Sequence, residues 1–154
     1  MRQSSIVKAG VAAHLLLVDD NRDGLLARKA LLQEQGFEIT TATNGEEAFE
    51  VFSKGKFDML VTDFKMPKMN GIELIRRVRP LQPTLGIILL SGFVEALGLD
   101  EKSTGADVVI NKGAHEIPHL LRSVARLAAR KIAKRPPVSQ KSTRTNAKTK
   151  SKSV

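Results

Sequence analysis

The chain has 154 residues and a mass of 16.8 kDa, with 42% hydrophobic and 27% charged residues, enough apolar content for one packed domain and too little length for two. It contains no Cys, which excludes a disulfide framework, a thiolate metal site and a cysteine nucleophile. It also lacks Trp and Tyr, which argues against an aromatic platform for stacking nucleic-acid bases. The net charge of +9 is concentrated rather than spread: nine of the 25 Lys and Arg lie between Arg130 and Val154, where no acidic residue occurs, so residues 1–129 balance 16 basic against 16 acidic side chains.

In chain order, residues 1–13 read as a flexible leader. The apolar stretch Ala9–Val18 is interrupted by His14 and ended by Asp19-Asp20, so it is about half the length a membrane-spanning helix needs and carries no cleavage signal. The expectation is a cytoplasmic protein with no membrane contact. Leu15–Val18 is predicted as a buried strand, and residues 22–35 as a helix with Leu25, Leu26, Ala30 and Leu32 at helical spacing and Gly36 as its stop. The alternating run Phe37–Thr41 predicts a half-exposed strand at a sheet edge. A helix over 45–54 follows, with Ala48, Phe49 and Phe52 on one stripe, and then a buried strand at Met59–Val61. Residues 71–79 predict a helix carrying Ile72, Ile75 and Val78, and Ile87–Leu90 a third buried strand. The segment 94–103 gives a weaker helical pattern broken by Gly98. Val108–Ile110 is the last strand, and about 117–133 the last helix, with Leu120, Leu121, Val124, Leu127 and Ala128 in phase.

Continuous apolar runs are what strands covered on both faces require. Four of them and the alternating run, with helices between, call for an α/β fold: a doubly wound, five-stranded parallel sheet with helices on both faces, and the edge-type second strand favours the flavodoxin-like order 2-1-3-4-5. The core domain is placed at 14–133. From Lys134 onward Pro136-Pro137 stops any helix and the remainder is almost free of apolar residues, so 134–154 reads as a disordered basic tail.

In such a sheet, ligands bind beyond the carboxyl ends of the strands. There the sequence sets Asp19-Asp20 after the first strand, Asp63 after the third, Ser91 after the fourth and Lys112 after the fifth. Three converging carboxylates repel one another unless a hard divalent cation such as Mg²⁺ joins them. With Lys112 and Ser91 added, the set suits a phosphoryl group, which needs positioning and charge neutralisation, and a carboxylate can itself be the nucleophile that forms an acyl phosphate. His14, His115 and His119 lack metal-ligand company and read as surface or structural residues.

These residues stand in a recognisable order: Leu16-Leu17-Val18-Asp19-Asp20-Asn21, then Val61-Thr62-Asp63-Phe64-Lys65-Met66-Pro67-Lys68-Met69-Asn70-Gly71, then Leu90-Ser91-Gly92-Phe93, then Gly105-Ala106-Asp107 leading to Lys112. From about His14 to Ala129 the chain resembles the receiver domain of two-component response regulators, of the single-domain type with a basic tail. The resemblance implies that Asp63 is the phosphoacceptor, that Asp20, Asp63 and the backbone carbonyl of Lys65 bind Mg²⁺ with Asp19 holding a metal-bound water, that Ser91 is the switch hydroxyl and that Lys112 is the phosphate-binding lysine. It further implies a signalling protein that catalyses only its own aspartyl phosphorylation and dephosphorylation. A sensor histidine kinase or phosphotransfer protein would be the donor. Output would go to an unidentified protein target, or along a phosphorelay, through the surface of the predicted helix 94–103, the last strand and the last helix. The alternative is a nucleic-acid-associated protein whose tail binds phosphate backbone non-specifically under receiver control.

Three positions depart from the family pattern. Gly113 stands where Pro usually follows the lysine, so Lys112 is expected to be less preorganised. Val109 replaces the usual Tyr or Phe, which removes an aromatic rotamer switch. Lys65 and Phe93 occupy the variable positions nearest the phosphoryl group, and neither suits the alignment of an attacking water, so slow self-dephosphorylation is expected.

Overall fold

A computed structural model of the chain describes residues 12–134; most of the predicted leader and all but the first residue of the predicted tail, with the nucleic-acid reading built on it, lie outside the described residues. The element order is β1 (His14–Val18), α1 (Arg22–Glu34), β2 (Glu38–Ala42), α2 (Gly45–Lys54), β3 (Met59–Asp63), α3 (Gly71–Val78), β4 (Gly86–Ser91), α4 (Val94–Leu97), α5 (Glu101–Thr104), β5 (Val108–Asn111) and α6 (Glu116–Lys134). The five strands form one parallel sheet in the order β2-β1-β3-β4-β5.

The side-chain alternation of the strands divides the core in two. Leu16, Val18, Leu60, Ile87 and Leu89 point to one face, under Ala48 and Phe52 of α2 and Leu74, Ile75 and Val78 of α3. Leu15, Leu17, Val61, Ile88 and Leu90 point to the other, under Leu25 and Leu32 of α1 and Leu120, Val124 and Leu127 of α6. Cover on both faces is why these strands read as unbroken apolar runs. β2 pairs with β1 alone and is the edge strand its sequence suggests.

Two expectations are corrected. The segment 94–103 is not one helix but two single turns: Gly98 ends α4 in the left-handed region at φ +61°, and Asp100 starts α5 with a capping box to Ser103. In α1 the inward stripe is Leu25, Arg28 and Leu32, whereas Leu26 and Ala30 face solvent. Leucine at position 26 is apolar but lies one residue off the 3.6-residue phase that the sheet selects. α6 extends slightly beyond the predicted bounds and carries Pro118 in its first turn, where a missing N–H costs no helical hydrogen bond. Among the described residues no helix is long and apolar enough to cross a membrane.

Candidate functional site

The strands end together at one edge, and their register brings distant residues side by side. Val18 is level with Thr62, Asp63 with Leu90, and Ser91 with Asn111. Asp63 is therefore the last residue of β3 and Ser91 the last of β4, both inside the strand rather than in the loop after it. The loop Phe64–Asn70 is anchored by the buried side chains of Met66 and Met69, and Asn70 starts α3 with a capping box to Glu73. Gly71, the first residue of α3, donates to the Phe64 carbonyl at 2.8 Å and lies so close to β3 that an added Cβ would sit 2.4 Å from the Asp63 carbonyl oxygen.

The structure brings every candidate side chain to one cleft of about 600 Å³, whose lining includes Asp19, Asp20, Asp63, Lys65, Ser91 and Lys112. Carboxylate oxygens of Asp19, Asp20 and Asp63 lie within 4.8 Å of one another, Asp19 and Asp63 buried and Asp20 exposed. Three hard oxygen donors at that spacing, one of them open to water, suit Mg²⁺. Lys112 Nζ meets Asp63 Oδ1 at 2.5 Å. Burial pushes the Asp63 carboxyl above its ordinary range and the Asp19 charge adds to this, while the hydrogen bond and charge of Lys112 oppose it. Lys112 thus reaches Asp63 although Gly113 follows it, and its peptide N–H donates to the Ser91 carbonyl at 2.9 Å. The Ser91 hydroxyl oxygen accepts the Phe93 N–H at 2.9 Å, which leaves its own proton free to donate. Lys65 Nζ sits over the Phe93 ring, 5.2 Å from its centroid, so the two unusual residues at the cleft mouth contact each other.

Asn21 caps α1 by accepting from the Gly24 N–H, and its own N–H donates to Asp19 Oδ1 at 2.9 Å. Two further residues were not apparent from the motif. Arg28 Nη1 donates to Asp19 Oδ2 and Arg28 Nε to Glu116 Oε2, both at 2.6 Å, and all three side chains are buried. Burial, the largest influence on the guanidinium, disfavours its charge, but the hydrogen bonds and charges of Glu116 and Asp19 outweigh it and raise its pKa. The signals were present in the sequence: an arginine in phase with Leu25 and Leu32, and a glycine in the first turn of the helix, where it lowers stability relative to alanine. A Cβ on Gly24 would lie 3.2 Å from Arg28 Nη1 and 3.5 Å from Asp19 Oδ2, so the glycine leaves the guanidinium its path.

A second cleft, of about 570 Å³, is lined by Asp58, Arg79, Gly86, Asp107 and Lys131 among others. Its Arg79 already donates to the carbonyls of Pro83, Leu85 and Gly105 and to Asp107, which makes it a tie between loops. His14 is likewise structural, its ring between the Lys56 carbonyl and Thr40 Oγ1.

Comparison with known proteins agrees with this geometry. The profile of the response regulator receiver domain matches residues 15–124. The response regulator receiver protein CpdR of Brucella abortus is 34% identical over 102 residues, 66% of this chain and 85% of CpdR. Other curated relatives are much longer: the match to GlrR of Escherichia coli, 38% identical over 80 residues, covers 51% of this chain and 18% of that protein. The first relatives matched include several of which the chain spans a third or less. Among solved structures, TrrA of Thermotoga maritima in complex with Mg²⁺-BeF superposes with a TM-score of 0.67 at 33% identity, over 75% of this chain and 98% of TrrA. TrrA in complex with the histidine kinase ThkA gives a TM-score of 0.66 at 34% identity, over 75% of this chain and 97% of that chain. With a family profile over most of its length and the same fold as solved receiver proteins, the chain belongs to the response regulator receiver domain family.

Proposed function

We propose that this receiver takes a phosphoryl group from a histidine kinase or phosphotransfer protein onto Asp63 and signals through the resulting change in its surface. The observation that carries the reading is the Lys112–Asp63 contact beside the Asp19 and Asp20 carboxylates. On this reading Asp63 is the nucleophile, Lys112 the cation for the incoming phosphoryl oxygens and the carboxylate cluster the hard-cation site, all lining one cleft. Asp63 Oδ attacks phosphorus, the P–O bond forms as the P–N bond to the donor imidazole breaks, and the imidazole, already protonated on its other ring nitrogen, leaves as the neutral base. Asp20, Asp63 and the Lys65 carbonyl would hold Mg²⁺, with Asp19 on a bound water; the ion supplies neutralisation of charge on the transferring oxygens.

Lys112 then moves its ammonium from the Asp63 carboxylate to a phosphoryl oxygen, and Ser91 donates its free proton to another. The acyl phosphate carries roughly two negative charges where the carboxylate carried one. Movement of Ser91 releases the Phe93 N–H, which lies at the start of α4, so the charge at the strand ends reaches the surface of α4, β5 and α6. That surface is the proposed contact for a protein target or the next protein of a relay. The kinase assignment is supported by the ThkA complex of the similar TrrA, and the Mg²⁺ assignment by the Mg²⁺-BeF complex. The test is intact-mass measurement after incubation with acetyl phosphate. One phosphoryl is gained by the parent with Mg²⁺, and none with chelator or in Asp63→Asn; a gain by Asp63→Asn would overturn the reading.

A further inference from the structure

Arg28 is a buried charge on the core-facing stripe of α1, a place where burial favours an apolar residue. Its guanidinium divides between Asp19, at the end of β1, and Glu116, at the start of α6, 88 residues away from Arg28 in sequence. Gly24 clears its path. The same Asp19 whose Oδ2 it occupies contributes to the three-carboxylate cluster. A cation entering that cluster therefore meets a fixed positive charge one carboxylate away, and that charge is in turn compensated by Glu116.

From this we infer that Arg28 is a positioning residue that sets the cation affinity of the acidic cluster through Asp19, and that Glu116 sets how strongly Arg28 does so. The inference rests on reading Asp19, Asp20 and Asp63 as the cation site. Its consequence is that the cleft and the first turn of α6 are linked by charge: tightening one contact of Asp19 loosens the other, and the coupling is reciprocal.

The three buried groups predict opposite effects from removing each end of the network. Arg28→Met deletes the positive charge beside the cluster and leaves Glu116 negative, so Mg²⁺ binds more tightly. Glu116→Gln leaves the guanidinium uncompensated on Asp19, so Mg²⁺ binds more weakly. The double variant removes one charge of each sign and returns the affinity towards that of the parent. One unit charge this near a dication is worth about tenfold in affinity even at water-like screening. A purely structural role for Arg28 would move both single variants the same way, since each breaks the same buried pair.

The experiment is calorimetric titration of MgCl2 into the full chain, its two single variants and the double variant at constant ionic strength, with thermal unfolding of each followed by circular dichroism. The expected result is a dissociation constant lowered about tenfold by Arg28→Met and raised about tenfold by Glu116→Gln, with the double variant within about threefold of the parent. Single variants that shift in the same direction, or by less than twofold, overturn the inference. If Arg28→Met does not fold, weakened binding in Glu116→Gln, which keeps the Arg28–Asp19 contact, supports it, and unchanged or tighter binding there overturns it. A parent that takes up no Mg²⁺ removes the cation-site reading and this inference with it, whereas a parent that binds while its variants do not diverge removes the inference alone.

Discussion

Gly71→Ala is the substitution whose cost the structure defines most sharply. The new Cβ would lie 2.4 Å from the Asp63 carbonyl oxygen, 2.8 Å from Leu89 Cδ1 and 3.1 Å from Phe64 Cα. Leu89 can turn, but the other two are backbone atoms of the strand end at Asp63 and the loop that follows it. A Cβ essentially never approaches closer than 3.0 Å, so α3 must retreat by at least 0.6 Å from β3. That retreat stretches the 2.8 Å bond from the Gly71 N–H to the Phe64 carbonyl. Overpacking of this kind costs about 1–3 kcal/mol, and rigid partners place it at the upper end; the weakened hydrogen bond adds about 1 kcal/mol. Alanine's better helix propensity returns up to about 1 kcal/mol. The net loss is about 3 kcal/mol, or roughly 10 °C in Tm for a domain of this size. Urea and thermal unfolding by circular dichroism measure it, and an unchanged urea m-value identifies the loss as one of native stability. A loss below about 1 kcal/mol would refute the claim that α3 is seated directly on the Asp63 backbone.

Other substitutions and conditions give outcomes of either sign. Because the Asp63 carboxyl is held above its ordinary range, chiefly by burial, the native state binds its proton more tightly than the unfolded state does. Stability from this group is therefore lost as pH rises from the ordinary carboxylate range through the raised value. Without Mg²⁺, Asp63→Asn should melt higher than the parent at pH 7.5, with the gap closing below about pH 4; a lower Tm for the variant at pH 7.5 would contradict this. Gly113 needs no left-handed conformation and a Cβ there meets nothing within 4 Å, so Gly113→Ala should stabilise by about 0.4–1 kcal/mol by restricting the unfolded chain, read from denaturant midpoints, and a destabilised variant would show that the loop depends on glycine. Lys65 and Phe93 contact each other in the cleft and neither is a carboxylate or amide that could align an attacking water, so the phosphorylated form should persist for many minutes after removal of donor; a half-life of seconds by intact mass would sink that expectation.

Much of this fold is legible because burial on both sheet faces leaves a one-dimensional trace. Leu15-Leu16-Leu17-Val18 and Ile87-Ile88-Leu89-Leu90 are unbroken because odd and even residues each meet a helix layer. The candidate site is legible for the same reason: polar residues that directly follow such runs have to emerge at one edge. Short segments are less legible. Between 94 and 103 the choice of one helix or two turned on the backbone sign at Gly98 and on the Asp100 cap, local features that an apolar count does not weigh. Arg28 is not legible because a long polar side chain on an apolar stripe acquires meaning only from what it reaches, and Glu116 is brought to it because α1 and α6 cover the same face of the sheet. Lys112 shows the converse: its neighbour Gly113 suggested a loosely held side chain, while the bond from its own N–H to Ser91 and its contact with Asp63 are tertiary facts.

The most direct test of the central claim asks which carboxylate carries the phosphoryl group. An acyl phosphate is reduced by borohydride to the alcohol, which turns a phosphorylated aspartate into homoserine, and peptide sequencing by mass spectrometry then locates it. After incubation with acetyl phosphate and Mg²⁺, the account predicts homoserine at position 63 and at neither 19 nor 20. Homoserine at another aspartate, or none in a protein whose mass shows a gained phosphoryl group, would contradict it.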